Sequence, residues 1–195
     1  MNLVLTFGPL MIRPIVLLGD PVLRIPAQVL DAHDSHGEAV RALVRDMTET
    51  LERAGGVGLA APQVGAAVRL ILAGSFPTDR APDRPLVPIS TFLNPRIVAA
   101  SPETEEAWEG CLSFQAYQVC VVRPQAVTVE YITLDGSPAR VEAEGFFARV
   151  LQHEIDHLDG ILTLDRAAGP EDIQASSPGE PPTPSSPSDL EADLS

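Results

Sequence analysis

The sequence predicts a mixed helix-and-strand fold, on three observations. Val40, Leu43, Val44, Met47 and Leu51 recur at three- and four-residue steps, the apolar stripe of an amphipathic helix over 37–54. Residues 68–73, 92–100, 118–123, 126–134 and 138–144 then read as strands, separated by turn residues. A second helical stripe follows the last of them: Phe146, Phe147, Val150, Leu151, Ile155 and Leu158, with Gly160 as the stop.

Each element has a local reason. Residues 12–30 carry Pro14, Pro21 and Pro26 among apolar residues, which predicts extended segments and turns at an edge. Ser35 is placed to cap the first helix, with Glu38 three residues on as its capping-box partner. His33 and His36 lie in that polar loop, a poor setting for metal ligands. The stretch Gly56-Val-Gly-Leu-Ala-Ala-Pro-Gln-Val-Gly65 predicts a tightly folded loop with exposed backbone. It lacks the Gly-Lys-Ser/Thr ending of a phosphate loop. Its one polar side chain, Gln63, is either a turn residue facing water or a donor aimed into a cleft. Residues 75–90 read as a Pro-, Asp- and Arg-rich loop, Asp135-Gly136 as a hairpin turn, and 161–165 as a short strand.

The chain of 195 residues is long enough for one domain with a core. All 13 basic residues are arginine, against 27 acids. Six acids lie beyond Gly169, where no base occurs, so the body carries 21 acids against 13 bases. That balance excludes non-specific binding to nucleic acid as a main role. Residues 1–10 are apolar but lack a basic start, and Arg13-Pro14 soon interrupts the run; neither a signal peptide nor a membrane span is predicted. Residues 1–11 read as an N-terminal extension, with Met11 an alternative start. The cytoplasm is the default compartment, with Cys111 and Cys120 as free thiols. Residues 170–195 are Pro-, Ser- and acid-rich without aromatics, and are predicted to be a disordered tail. The folded domain is then 12–169.

The chemistry centres on His153-Glu154-Ile155-Asp156-His157, an H-E-x-x-H pattern on the second helix. Residues four apart share a helix face, so two imidazoles there can grip one ion while Glu154 reaches a water beside it. The bland alternative is a helix with two surface histidines. A third ligand is required. The extended zinc-peptidase pattern would put a histidine at 163, where Thr163 stands, and glutamates further on fall in the tail. Cys111, in Glu109-Gly-Cys-Leu-Ser113, is the upstream candidate, a thiolate that suits a borderline metal. It could equally be a small buried hydrophobe. Cys120, among Val119, Val121 and Val122, reads as core. A general zinc peptidase and a non-catalytic metal module stay open at this point.

Three blocks occur in order: GVGLAAPQVG at 56–65, EGCLS at 109–113 and QHEIDHLDG at 152–160. Together they resemble the peptide deformylases, over roughly residues 12–166. The resemblance implies an α+β fold in which antiparallel β-sheets pack around a central metal-binding helix. It implies removal of the formyl group from the N-terminal formylmethionine of new polypeptides. Cys111, His153 and His157 correspond to the metal ligands and Glu154 to the catalytic carboxylate. Gln63 and the backbone N–H of Leu112 correspond to donors for the formyl oxygen. Gly58 corresponds to a backbone contact with substrate, and Phe146 and Val150 to walls of a methionine pocket. The implied cofactor is Fe²⁺, with Zn²⁺, Ni²⁺ or Co²⁺ able to replace it. The implied partners are formylmethionyl nascent chains and the ribosome, with no membrane and no specific nucleic acid. Two departures stand out. Phe114-Gln115-Ala116 replaces a segment that often holds a proline and borders the cleft. The acidic tail replaces the long C-terminal helix of many bacterial members, so a ribosome-docking role for that helix does not carry over.

Overall fold

The computed structural model describes residues 11–31, 37–77 and 82–176. Eight strands and two α-helices build it, joined by short 3₁₀ turns. Helix α1 spans Glu38–Ala54, preceded by Gly37 at its N-cap. Ser35, His33 and His36 lie outside the described residues. Strand β1 (Gly58–Ala60) and a 3₁₀ turn (Ala61–Val64) occupy the glycine-rich stretch predicted as a loop. Strands β2 (Leu70–Ser75), β3 (Val87–Ala100), β4 (Thr104–Gly110), β5 (Tyr117–Pro124), β6 (Ala126–Ile132) and β7 (Pro138–Glu144) follow. Helix α2 spans Gly145–Leu158, and strand β8 spans Ile173–Ala175.

The strands form two antiparallel sheets, ordered β1-β2-β3-β6-β7 and β4-β5-β8. In the larger sheet β2 is covered on both faces. Leu70 and Leu72 belong to the cluster made with Val40, Leu43, Met47 and Leu51 of α1. Ile71 and Ala73 belong to the cluster made with Ala148, Leu151, Ile155 and Leu158 of α2. Burial on both faces explains the unbroken apolar run of β2, where a one-sided strand would alternate. Every residue of α2 from Phe147 to Leu158 is buried, so α2 is a central helix between the two sheets. The expected α+β architecture is the observed one.

Two local features hold the edges. Asn94 adopts φ 49° inside β3; its side chain donates to Leu30 O at 2.6 Å and accepts from Leu30 N at 2.8 Å, tying down the N-terminal segment. Arg13 donates to Asp46 through both Nε (3.1 Å) and Nη2 (2.9 Å), fixing the same segment to α1.

Three expectations need correction. Residues 75–90 are not loop throughout, because β3 begins at Val87, which pairs with Ser75 of β2. Residues 161–165 do not form a strand; Thr163–Arg166 is a 3₁₀ turn. The Asp165 carboxylate accepts from Leu162 N at 2.7 Å, a local side-chain bond that competes with strand pairing. Residues 170–176, expected to belong to a disordered tail, are structured. A 3₁₀ turn (Pro170–Asp172) leads into β8, which pairs with Tyr117–Val119 of β5. Composition misled here because β5 needs partners for its outer backbone groups, and three residues suffice to supply them.

Helix α2 ends where the sequence places its stop. Gly160 has φ +75°, and Ile161 N donates back to Asp156 O at 2.9 Å. A Cβ at Gly160 would lie 2.7 Å from Arg24 O, a backbone atom that cannot swing away. Gly160→Ala should therefore lower stability by more than about 1 kcal/mol, read as a drop in the urea midpoint. An unchanged midpoint would show that the turn relaxes freely.

Candidate active site

Helix α2 brings His153 and His157 to one face, and the end of β4 brings Cys111 to meet them. The three ligand atoms lie within 4.8 Å of one another, and all three residues are buried. Cys111 Sγ is 3.3 Å from His157 Nε2. His153 turns its Nδ1 to Glu109 Oε2 at 2.9 Å, which leaves Nε2 for the cluster. A cavity beside them is lined by Gly56, Val57, Gly58, Gln63, Gly110, Cys111, Leu112, Val150, His153 and Glu154.

The donor set fits a metal. One thiolate and two imidazoles suit a borderline divalent ion, and three protein ligands leave a position for water or substrate. Glu154 Oε2 is buried without a hydrogen-bond partner among the described residues. Such an orphan is costly in a core and sensible in a site that admits water or substrate. Burial pushes the Glu154 carboxyl up to about 7, with His153 acting against that rise. Burial also disfavours a charged ring at both histidines. It prevails at His157, whose pKa lies well below the usual value. At His153 the hydrogen bonds it donates to Cys111 and Glu109 prevail and hold the pKa well above it.

The glycine-rich stretch supplies the opposite wall. Gln63 is 1 % exposed, so it is not a turn residue facing water. Its Oε1 accepts from Ala60 N at 2.8 Å, which orients the amide. Its Nε2 then faces Ser113 Oγ (3.2 Å) and Cys111 Sγ (3.5 Å). Gly58 lies against the catalytic-carboxylate candidate: a Cβ there would come within 2.8 Å of Glu154 Cγ and Cδ. Only glycine leaves that approach open.

The structure thus brings together Gly58, Gln63, Cys111, Leu112, Val150, His153 and Glu154 around one cavity, with His157 completing the ligand cluster. Phe146 stands apart. It is half-buried against the main core cluster, with the Arg84 guanidinium 3.9 Å above its ring, and it is not among the cavity-lining residues. Cys120 is buried outside the site, and both cysteines are free.

The residue profile of the family described as Polypeptide deformylase matches positions 12–172. The chain belongs to the polypeptide deformylase family. It is accordingly an enzyme that removes the formyl group from a formylated N-terminus. Peptide deformylase 2 of Nostoc sp. is 40% identical over 153 residues, 78% of this chain and 84% of its relative. A peptide deformylase of Rhizobium meliloti is 43% identical over 157 residues, 79% of this chain and 84% of that one. Among solved structures, the class I type b peptide deformylase of Acinetobacter baumannii with Met-Ala-Ser bound superposes with a TM-score of 0.78 at 35% identity. That match covers 81% of this chain and 99% of the other. A peptide deformylase of Synechococcus elongatus in complex with actinonin gives 0.71 at 36% identity, covering 82% and 81%.

Sequence reasoning passed over the residues that hold His153 of this deformylase in place. Glu109 is 0 % exposed and accepts from Arg123 Nε at 2.6 Å and Nη2 at 2.9 Å. Arg123 also donates to Asp156 at 2.8 Å, and Arg166 Nε reaches the same carboxylate at 3.1 Å. Burial alone would raise the Glu109 pKa, but Arg123 and His153 together hold it well below the usual carboxylate range. A signal was present: Arg123 interrupts the apolar run of β5, and a charge in a buried stripe needs a partner. Glu109→Ala would leave Arg123 buried with one of its two carboxylates gone, a loss of about 3–5 kcal/mol. Chemical denaturation should show it, and a change under about 1 kcal/mol would place the pair on the scale of a surface ion pair.

Proposed function

We propose that the deformylase acts on formylmethionyl N-termini of newly made polypeptides through a divalent metal held by Cys111, His153 and His157. One observation carries this reading: a thiol and two imidazoles converge beside a buried carboxylate that has an unpartnered oxygen. A metal in that position would supply Lewis acidity, polarising the formyl carbonyl and making a water more acidic.

The chain's own groups do the rest. Glu154 takes the proton from the attacking water as the oxygen bonds to the formyl carbon. The Gln63 amide and the Leu112 backbone N–H donate to the oxygen that becomes negative. Glu154 then delivers its proton to the departing amine as the C–N bond breaks, leaving formate and a free N-terminus. The Gly58 backbone lies along the substrate, and Val150 walls the pocket for the methionine side chain. Phe146, one helical turn before Val150, packs against the apolar cluster that contains Val150. The Acinetobacter baumannii relative, solved with Met-Ala-Ser bound, supports a methionine-first substrate.

We assign Fe²⁺ as the cellular metal, with Zn²⁺, Ni²⁺ or Co²⁺ able to replace it; a Cys/His/His set accepts all four. Metal analysis of protein purified without oxygen tests that assignment. Among the described residues no helix is long and apolar enough to cross a membrane. We assign the enzyme to the cytoplasm, where its proposed substrates, nascent chains, leave the ribosome.

The decisive assay is formate release from formyl-Met-Ala-Ser, with Met-Ala-Ser as control. Formate from the first peptide and no cleavage of the second is expected; hydrolysis of the unformylated peptide would point to a peptidase instead. Glu154→Ala should keep its metal and lose about 10²–10⁴-fold in kcat. Normal turnover by that variant removes Glu154 from the chemistry. Cys111→Ser should lower metal content, and full metal with full activity would remove Cys111 from the ligand set.

A further inference from the structure

We infer that Arg149 is a positioning residue for the metal centre, locking the helix that carries both imidazoles to the sheet that delivers the thiol. The inference rests on the ligand set proposed above.

Arg149 lies on α2 one turn before His153 and is 3 % exposed. Its position in the stripe Phe147-Ala-Arg-Val-Leu151 is otherwise apolar. Its guanidinium spans three acceptors. Nη1 donates to Glu109 Oε1 at 2.8 Å and to Val121 O at 2.9 Å, and Nη2 donates to Glu105 O at 2.7 Å. Two of those acceptors are backbone carbonyls of the adjacent strands β4 and β5. The third is the carboxylate that orients His153. One side chain of α2 is thereby fastened across the β4–β5 ladder, which ends at Gly110, immediately before Cys111.

The arrangement is the converse of Arg123. That residue starts from the sheet, grips Glu109 and reaches Asp156 on the helix. Arg149 starts from the helix, grips Glu109 and reaches the sheet. With both in place Glu109 can neither rotate nor slide: Oε1 accepts from two guanidinium groups, and Oε2 from Arg123 and His153. Without Arg149, Oε1 loses a donor and α2 loses its fastening one turn above the first ligand. The His153 ring then has freedom to turn, and the thiol-to-imidazole spacing is set less firmly. Partners that orient metal-ligating histidines have effects of about 10- to 100-fold on metal affinity.

A purely structural role would be to satisfy the Val121 and Glu105 carbonyls. It would lower thermal stability and leave the metal environment of the folded protein unchanged. Co²⁺ separates the two roles in the full-length chain, because its visible absorption reports ligand identity and geometry. The dissociation constant comes from competition with a chelator. For the unsubstituted protein we expect a thiolate-to-Co²⁺ band that disappears in Cys111→Ser. Absence of that band would overturn the ligand set and this inference together. With the band present, Arg149→Met should bind Co²⁺ about 10- to 100-fold more weakly and shift the visible bands. Arg149→Lys keeps the charge but cannot span three acceptors, and should fall between the two. Arg149→Met with the original dissociation constant and spectrum, whatever its Tm, overturns the positioning role while leaving the ligand set intact. If Arg149→Met does not fold, Arg149→Lys decides: weaker binding with shifted bands supports the role, and values equal to the unsubstituted protein overturn it.

Discussion

The Glu109 carboxylate is the constraint on which the rest of the site depends. It sits near the end of β4, two residues before Cys111, fully buried, and accepts from two arginines and from His153. Those partners come from β5 and α2, so one carboxylate ties the strand that leads into Cys111 to its neighbour β5 and to the helix that carries His153 and His157. The larger sheet and α1 bury apolar area around this knot, but they do not determine where the imidazoles point. Hydrophobic burial is non-directional. Four hydrogen bonds on two oxygens are directional, and they fix a ring plane.

A buried cluster of this kind is a poor source of net stability. Desolvating several charges is expensive, and well-packed apolar side chains would often serve as well or better. The cluster makes sense as geometry. A metal centre tolerates small errors in ligand placement badly, and sites held by locked side chains on rigid elements meet that demand. The charges are arranged so that none is left alone: Glu109 lies between Arg123 and Arg149, and Asp156 between Arg123 and Arg166. The same helix turn that presents His153 and His157 thus presents Asp156 to the supporting network. That explains why a helix so fully buried carries so many polar residues.

What was legible in the sequence followed from periodicity and spacing. Both helices and the β6–β7 hairpin were readable because their apolar steps and turn residues are local signals. His153, Glu154 and His157 were readable because the i, i+4 spacing is itself the geometry. Cys111 was only a candidate, since the helix residues it approaches lie 42 to 46 residues on in sequence and only the β4–β5 ladder brings it to them. Gln63 was undecided for the same reason: its burial is made by Ala60, Cys111 and Ser113, and only Ala60 is a neighbour in the chain. Glu109, Arg123 and Arg149 were hidden because a charged residue reveals that it needs a partner, not which partner it has. The 3₁₀ turn at Thr163–Arg166 and strand β8 failed in opposite directions. In the first a side chain displaced an apolar strand pattern, and in the second an unpaired edge recruited a polar segment.

Strand β8 bears on the segment that follows Cys111. Phe114-Gln115-Ala116 stands there, with no proline to stiffen the chain. Here the stiffness has other sources. Phe114 is buried with Cys111, Val119 and Val121 in a small apolar cluster that Leu164 and Ala167 close from outside. Phe114 N donates to Cys111 O at 3.1 Å, which folds the backbone back on the ligand residue. Ser176 N, at the end of β8, donates to Ala116 O at 3.0 Å and clamps the far side. A proline restricts one φ by covalent means; a buried phenylalanine with a flanking strand restricts the same few residues by packing and pairing. The edge strand that composition assigned to the tail is therefore part of what holds the cysteine loop against the catalytic helix.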